Sequence, residues 1–237
     1  MRTGWRIYRR DCLLGALGAA LMLVGDLCLS LIPAAAGDSG LFEREAYLSG
    51  AFPTWRLPLL LATGLLGMAL CTFAVRAVYA QVDARYRGTQ RIILVGGALY
   101  LVSAGALHYI IGSLADWTST LASLLGREKA ATLVEARYAR LAPALAIPYA
   151  GMLALILGNA WAVLSGRSFL SRKMFGFHMV VWQLVFALIP DIRHALGAEP
   201  STWDFVLSQC SGNAALLIWM LSNAAWARRT LEKAGRN

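Results

Sequence analysis

The stretch LAPALAIPYAGMLALILGNAWAVL runs from Leu141 to Leu164 without a charge and stands between Arg140 and Arg167. A hydrocarbon layer about 30 Å thick is crossed by about 20 mostly apolar residues in a helix. A helix on the surface of a soluble domain needs only an apolar stripe, whereas this run is apolar on every side. It reads as a transmembrane helix. Working outward, five more stretches meet the same demand: Cys12 to Ile32, Leu57 to Val78, Ile92 to Leu114, Met174 to Ile189, and Phe205 to Ala227. The expectation is an all-α fold, a polytopic bundle of six transmembrane helices forming one membrane domain over residues 1–237.

Composition agrees. The 237 residues are 58% hydrophobic and 15% charged, against roughly 45–50% apolar and about a quarter charged in an ordinary soluble domain. The formal charge of +9 sits in short clusters between apolar runs and forms no continuous basic stripe. It reads as an orientation signal beside anionic lipid, and no nucleic-acid partner is implied. Cys12, Cys28, Cys71 and Cys210 lie in or beside apolar runs with no ligand-like spacing, as small core residues would.

Loops rich in Lys and Arg face the cytoplasm. Arg2, Arg6, Arg9 and Arg10 precede the first span; Arg85, Arg87 and Arg91 follow the second. Arg167, Arg172 and Lys173 follow the fourth, and Arg228, Arg229, Lys233 and Arg236 follow the sixth. The intervening segments carry Asp38, Glu43 and Glu45, then Asp116, Glu128 and Glu135, then Asp191, Glu199 and Asp204. All seven segments alternate, which predicts an integral membrane protein with both termini in the cytoplasm. The competing reading, a signal peptide cleaved after Ala34-Ala35-Ala36, asks for a shorter apolar run and one without Asp26. The second outer segment, Ala115 to Arg140, is expected as a loop whose portion Arg127 to Arg140 lies helically along the surface.

An ionisable group in hydrocarbon costs at least about 2.5–3.5 kcal/mol, so it is expected to face the bundle interior with a partner. Asp26 and His108 occupy such positions in the outer halves of the first and third spans, and Asp191 follows Pro190 at the outer end of the fifth. On the sixth span Gln209, Asn213, Leu216, Met220 and Asn223 share one helical face. Asp26, His108, Asp191, Gln209 and Asn213 are therefore expected at one depth, as a polar pocket opening outward. Arg76 is expected to snorkel to the inner surface and His178 to lie at the interface. The inner halves offer mainly Asn159, His178 and Asn223 as a continuing path.

Three functions fit these residues. One is a pocket binding a small molecule or a lipid; another is an acid/base enzyme acting on a lipid-like substrate through Asp26 and His108. The third is a scaffold in which the polar residues only hold helices together. No HExxH or GxSxG pattern occurs, the three histidines sit on different elements, and neither a metal nor another cofactor is implied. Small residues at Gly15 and Ala19, and at Ala154, Gly158 and Ala162, are expected to pack helices within the bundle. Nothing in the sequence fixes an oligomeric state.

Several short features together resemble a family of six-span bacterial membrane proteins known chiefly as a domain of unknown function. They are Gly25-Asp26, Trp55-Arg56-Leu57 leading to Gly64 and Gly67, Gly105-Ala106-Leu107-His108, Pro148, and Gly212-Asn213. That family has a Trp-Asn-Asn run in its last helix and a Lys-Trp pair before its fifth; Gly212-Asn213-Ala214 and Arg172-Lys173-Met174 stand here instead. The resemblance implies the topology and a place in the bacterial inner membrane, and it implies no reaction.

Overall fold

The computed structural model describes residues 2–35, 38, 44–50 and 52–234. Ala36, Glu43 and Arg236, used above, lie outside them, as do the side chains of Arg2 and Lys233. Among the described residues there are seven α-helices: α1 (Arg2–Ser30), α2 (Glu45–Leu48), α3 (Arg56–Gln81), α4 (Arg87–Leu125), α5 (Arg127–Leu164), α6 (Met179–Ala195) and α7 (Thr202–Ala234). A 3-10 helix, Arg172–Phe177, precedes α6. Six helices, all but the short α2, are long and apolar enough to cross a membrane.

Packing follows a ring in the order α6, α7, α1, α3, α4, α5, and its last seam, between α5 and α6, is the weakest. The start of α1 and the ends of α3 and α7 meet in one cluster of Tyr8, Cys12, Ala77, Ala224 and Ala227. That end of the bundle is called here the terminal face, and the opposite end the distal face.

Two boundaries differ from the sequence expectation. No loop separates the third and fourth apolar spans, because α4 continues to Leu125 and α5 begins at Arg127, with only Gly126 (φ +85) turning the chain. Apolar contacts of Val134 with Leu114, Ile110, Ile111 and Leu121 carry the pairing past the predicted spans, so Arg127 to Arg140 extends α5 and is no separate surface helix. The fifth apolar span runs from Arg172 to Ala195, with the 3-10 helix forming its first part and α6 the rest, and so ends beyond Ile189. His178 caps α6 by accepting the Val180 N–H on Nδ1 at 3.2 Å, and Pro190 lies inside the helix without ending it.

Small residues let backbones cross closely where lipid supplies no hydrophobic drive. A Cβ added to Gly67 on α3 would lie 2.7 Å from the Gly18 carbonyl oxygen on α1, and one on Gly151 of α5 would lie 2.6 Å from the Tyr100 nitrogen on α4. Gly15 abuts Ala74, Gly158 abuts Ile92 and Ile93, and Ala19 and Ala162 are buried. The small-residue stripes thus serve packing inside the bundle.

The terminal half of the ring is closed by a continuous chain of side-chain hydrogen bonds. Because His178 Nδ1 accepts a backbone N–H, its proton sits on Nε2, which donates to Asn159 Oδ1 at 3.2 Å. Asn159 Nδ2 then donates to Gln81 Oε1 at 2.9 Å, and Gln81 Nε2 to the Tyr8 hydroxyl at 2.9 Å. Tyr8 donates to Asn223 Oδ1 at 3.1 Å, and Asn223 Nδ2 to the Trp219 carbonyl at 2.8 Å. These groups come from α1, α3, α5, α7 and the cap of α6, and all are buried. His178 is therefore an interior group, contrary to its expected interfacial place. Nearby, Arg76 does not simply snorkel: its Nε donates to buried Asp11 on α1 at 2.6 Å.

Two stability outcomes follow from this packing. Gly67→Ala must displace a backbone carbonyl and should cost about 1–3 kcal/mol, read as a lower unfolding temperature in detergent, whereas Gly4→Ala, with nothing within 4 Å of the added Cβ, should leave it unchanged. Tyr8→Phe strands one donor and one acceptor in the buried chain and should destabilise by about 1–3 kcal/mol; an unchanged unfolding temperature would show that the chain carries no such load.

Candidate functional site

The distal half of the ring is not filled. Between α1, α4, α5, α6 and α7 lies a cavity of about 410 Å³, within the size range of small-molecule sites. It exists because α5 leans on α4 and α6 leans on α7, while α5 has no extended contact with α6 or α7. Pro148 lies on the α5 wall, where it has no N–H to donate to the Ala144 carbonyl one turn back.

Four of the five side chains expected in a polar pocket line this cavity: Asp26 from α1, His108 from α4, and Gln209 and Asn213 from α7. Asp191 does not. It is exposed on α6 beyond Pro190, because the helix continues past the proline and turns that position away from the ring. Asp26 is held by α7: its Oδ2 accepts the Asn213 Nδ2 proton at 2.6 Å. Its Oδ1 has no protein donor among the described residues. Asp26 and His108 line the same space but form neither a hydrogen bond nor an ion pair with each other; the partner of Asp26 is Asn213.

The His108 ring has its room because of a glycine on the neighbouring helix. A Cβ at Gly64 of α3 would lie 3.1 Å from His108 Cγ, so the α3 backbone forms one side of the imidazole's berth. Neither ring nitrogen finds a partner among the described residues.

Sequence reasoning missed Tyr100, Tyr138, Tyr149 and Gln183, which also line the cavity. A lone Gln inside the apolar run Met179 to Pro190 was a usable signal. Tyr138 was hidden by the mistaken loop, since it stands on α5 well before Leu141. Tyr100 and Tyr149 carried no signal that separates a cavity wall from a lipid-facing ring.

Above the cavity, the last turn of α1 is capped by arginine. Buried Arg44 donates to the carbonyls of Leu29, Ser30 and Ile32, and Arg56 to those of Cys28 and Leu31. Carbonyls at a helix C-terminus lack helical donors and carry partial negative charge, which suits guanidinium groups. Tyr47 of α2 adds a hydroxyl bond to the Leu29 carbonyl at 2.8 Å. Asp38 ties this cap together by accepting the Ala35 and Glu45 N–H groups at 3.0 and 2.7 Å. The start of α7 is fixed by a capping box: Ser201 Oγ accepts the Asp204 N–H at 3.3 Å and Asp204 Oδ2 the Ser201 N–H at 2.8 Å. Asp204 also accepts from Arg193 at 2.9 Å, joining α6 to α7.

Among the described residues no three His, Cys, Asp or Glu side chains gather as metal ligands would. The four cysteines are buried free thiols. Residues 1–220 match the model of a family described as a family of unknown function, DUF6796, and the chain belongs to that family. No curated protein and no solved structure matches it.

Proposed function

We propose that this member of the family is an integral protein of the bacterial cytoplasmic membrane, with both termini inside, that binds a small molecule or a lipid in its distal cavity. One observation carries the reading: a cavity of about 410 Å³ holds in its walls Asp26, with one oxygen unengaged, and His108, with no hydrogen-bond partner, among the described residues. A purely structural use of these groups would enclose them, as the buried chain from His178 to Asn223 is enclosed. Binding is also the first step that any acid/base chemistry on a lipid-like substrate would require.

The terminal half favours a pocket over a passage. Asn159, His178 and Asn223, the inward groups a carrier would draw on, are spent on one another and on Gln81 and Tyr8. The weak seam between α5 and α6 faces the cavity and supports entry from the side, out of the bilayer.

Orientation is tested with reporters. A fluorescent protein fused after Asn237 should glow, and alkaline phosphatase placed at the α4–α5 turn, Gly126, should be active; the reverse pattern would overturn the assigned topology. Occupancy is tested at Gly212, which lines the cavity and whose added Cβ would meet nothing within 4 Å. Gly212→Leu should fill space without collision. Protein extracted with its lipid in polymer discs should carry a non-protein molecule, seen by native mass spectrometry, that Gly212→Leu loses while keeping its unfolding temperature. Equal occupancy in both proteins, or none in the wild type, would count against the pocket.

A further inference from the structure

The charge of the cavity wall narrows what the pocket takes, and this inference rests on the proposed binding reading. The protein carries 22 Lys and Arg against 13 Asp and Glu, yet among the described residues no Lys or Arg lines the cavity and one carboxylate, Asp26, does. Arg44 and Arg56, around the end of α1, direct their terminal N–H groups to backbone carbonyls and stand outside the cavity lining. Arg193 is committed to Asp204. An anionic head, such as a phosphate or a carboxylate, would enter a low-dielectric space holding a like charge and no counter-ion, which is strongly unfavourable.

The one full negative charge a wall group can present is on Asp26, whose Oδ1 has no donor among the described residues. The other polar groups of the wall, His108 and the amides of Gln183 and Gln209 among them, both donate and accept when neutral. Three tyrosine rings, Tyr100, Tyr138 and Tyr149, bound the same space, and aromatic faces attract cations. Leu29, Leu107, Ile111, Leu145 and Met152 supply the apolar part of the wall, beside neutral polar groups on α6 and α7 such as Gln183, Ser208 and Gln209. A head that carries positive charge and donates hydrogen bonds, followed by an apolar tail, suits the carboxylate, the rings and the apolar part together.

We infer that the distal cavity binds a cationic amphiphile, a primary amine with an aliphatic tail, whose ammonium group pairs with Asp26 between the tyrosine rings. The amine supplies the counter-ion that Asp26 lacks within the protein. The tail takes the apolar wall and leaves toward the seam between α5 and α6.

The full chain in discs of zwitterionic lipid would be titrated with decylamine, decanol and decyl phosphate, with empty discs as the blank. Decylamine should bind at least about tenfold more tightly than decanol, equivalent to about 1.4 kcal/mol, and decyl phosphate should not bind. Asp26→Asn should bring decylamine to within about threefold of decanol measured on the same variant, since the amide keeps the shape and loses the charge. Decyl phosphate or decanol binding as tightly as decylamine, or an undiminished amine preference in Asp26→Asn, would overturn the cationic assignment and leave the pocket standing. Binding of all three that Gly212→Leu does not weaken, or binding of none, would overturn the pocket itself.

Discussion

Each donor in the buried chain from His178 to Trp219 meets one acceptor, and the order runs one way through five elements. These groups are buried away from solvent, where an unmade bond leaves a desolvated polar atom at a cost of about 1–3 kcal/mol, so the protein itself must satisfy them. That requirement makes the chain a constraint on geometry. The α6 cap sets the tautomer of His178, the tautomer sets which atom of Asn159 faces it, and the choice propagates to Tyr8. Gln81 sits at the centre, because its side chain is a link and its backbone carbonyl also accepts the Phe169 N–H at 3.0 Å. The segment between α5 and α6 is thereby tied to the end of α3.

The two halves of the ring divide the work. The terminal half is held by this polar chain, by the Asp11–Arg76 pair and by the edge-on aromatic contacts of Trp5, Tyr8 and Phe169. The distal half is held at its rim, by arginines on the last carbonyls of α1 and by the capping box of α7, and stays open inside. A bundle tight at one end and tied only around the other can keep a cavity without losing its helix order. The close crossings at Gly18 with Gly67 and at Gly96 with Gly151 fix two helix pairs, and the gap lies where α5 has no extended contact with α6 or α7.

The same kinds of residue therefore do opposite things at the two depths. Asn159 and Asn223 are consumed by neighbours, while Asp26 and His108 retain unengaged atoms toward a common space. Asn213 lies between these cases, bonded to Asp26 yet lining the cavity. What separates them is the spacing of helix axes, which no side chain announces by itself.

The six apolar helices were legible because a spanning segment must be apolar on every side for about 20 residues, a property of the local sequence alone. The shared face of Gln209 and Asn213 was legible because helical period is local too. The α4–α5 turn at Gly126 was not, because mixed-charge helix extends beyond the apolar span only through contacts such as Val134 with Leu114. Nor was the partner of Asp26, since Asn213 stands 187 residues away along the chain and only the packing of α1 on α7 brings them together. Asp191 shows the converse, a residue at a plausible depth that helix rotation turns outward. Height along the bundle follows from sequence position, whereas direction and company are set by how the helices pack.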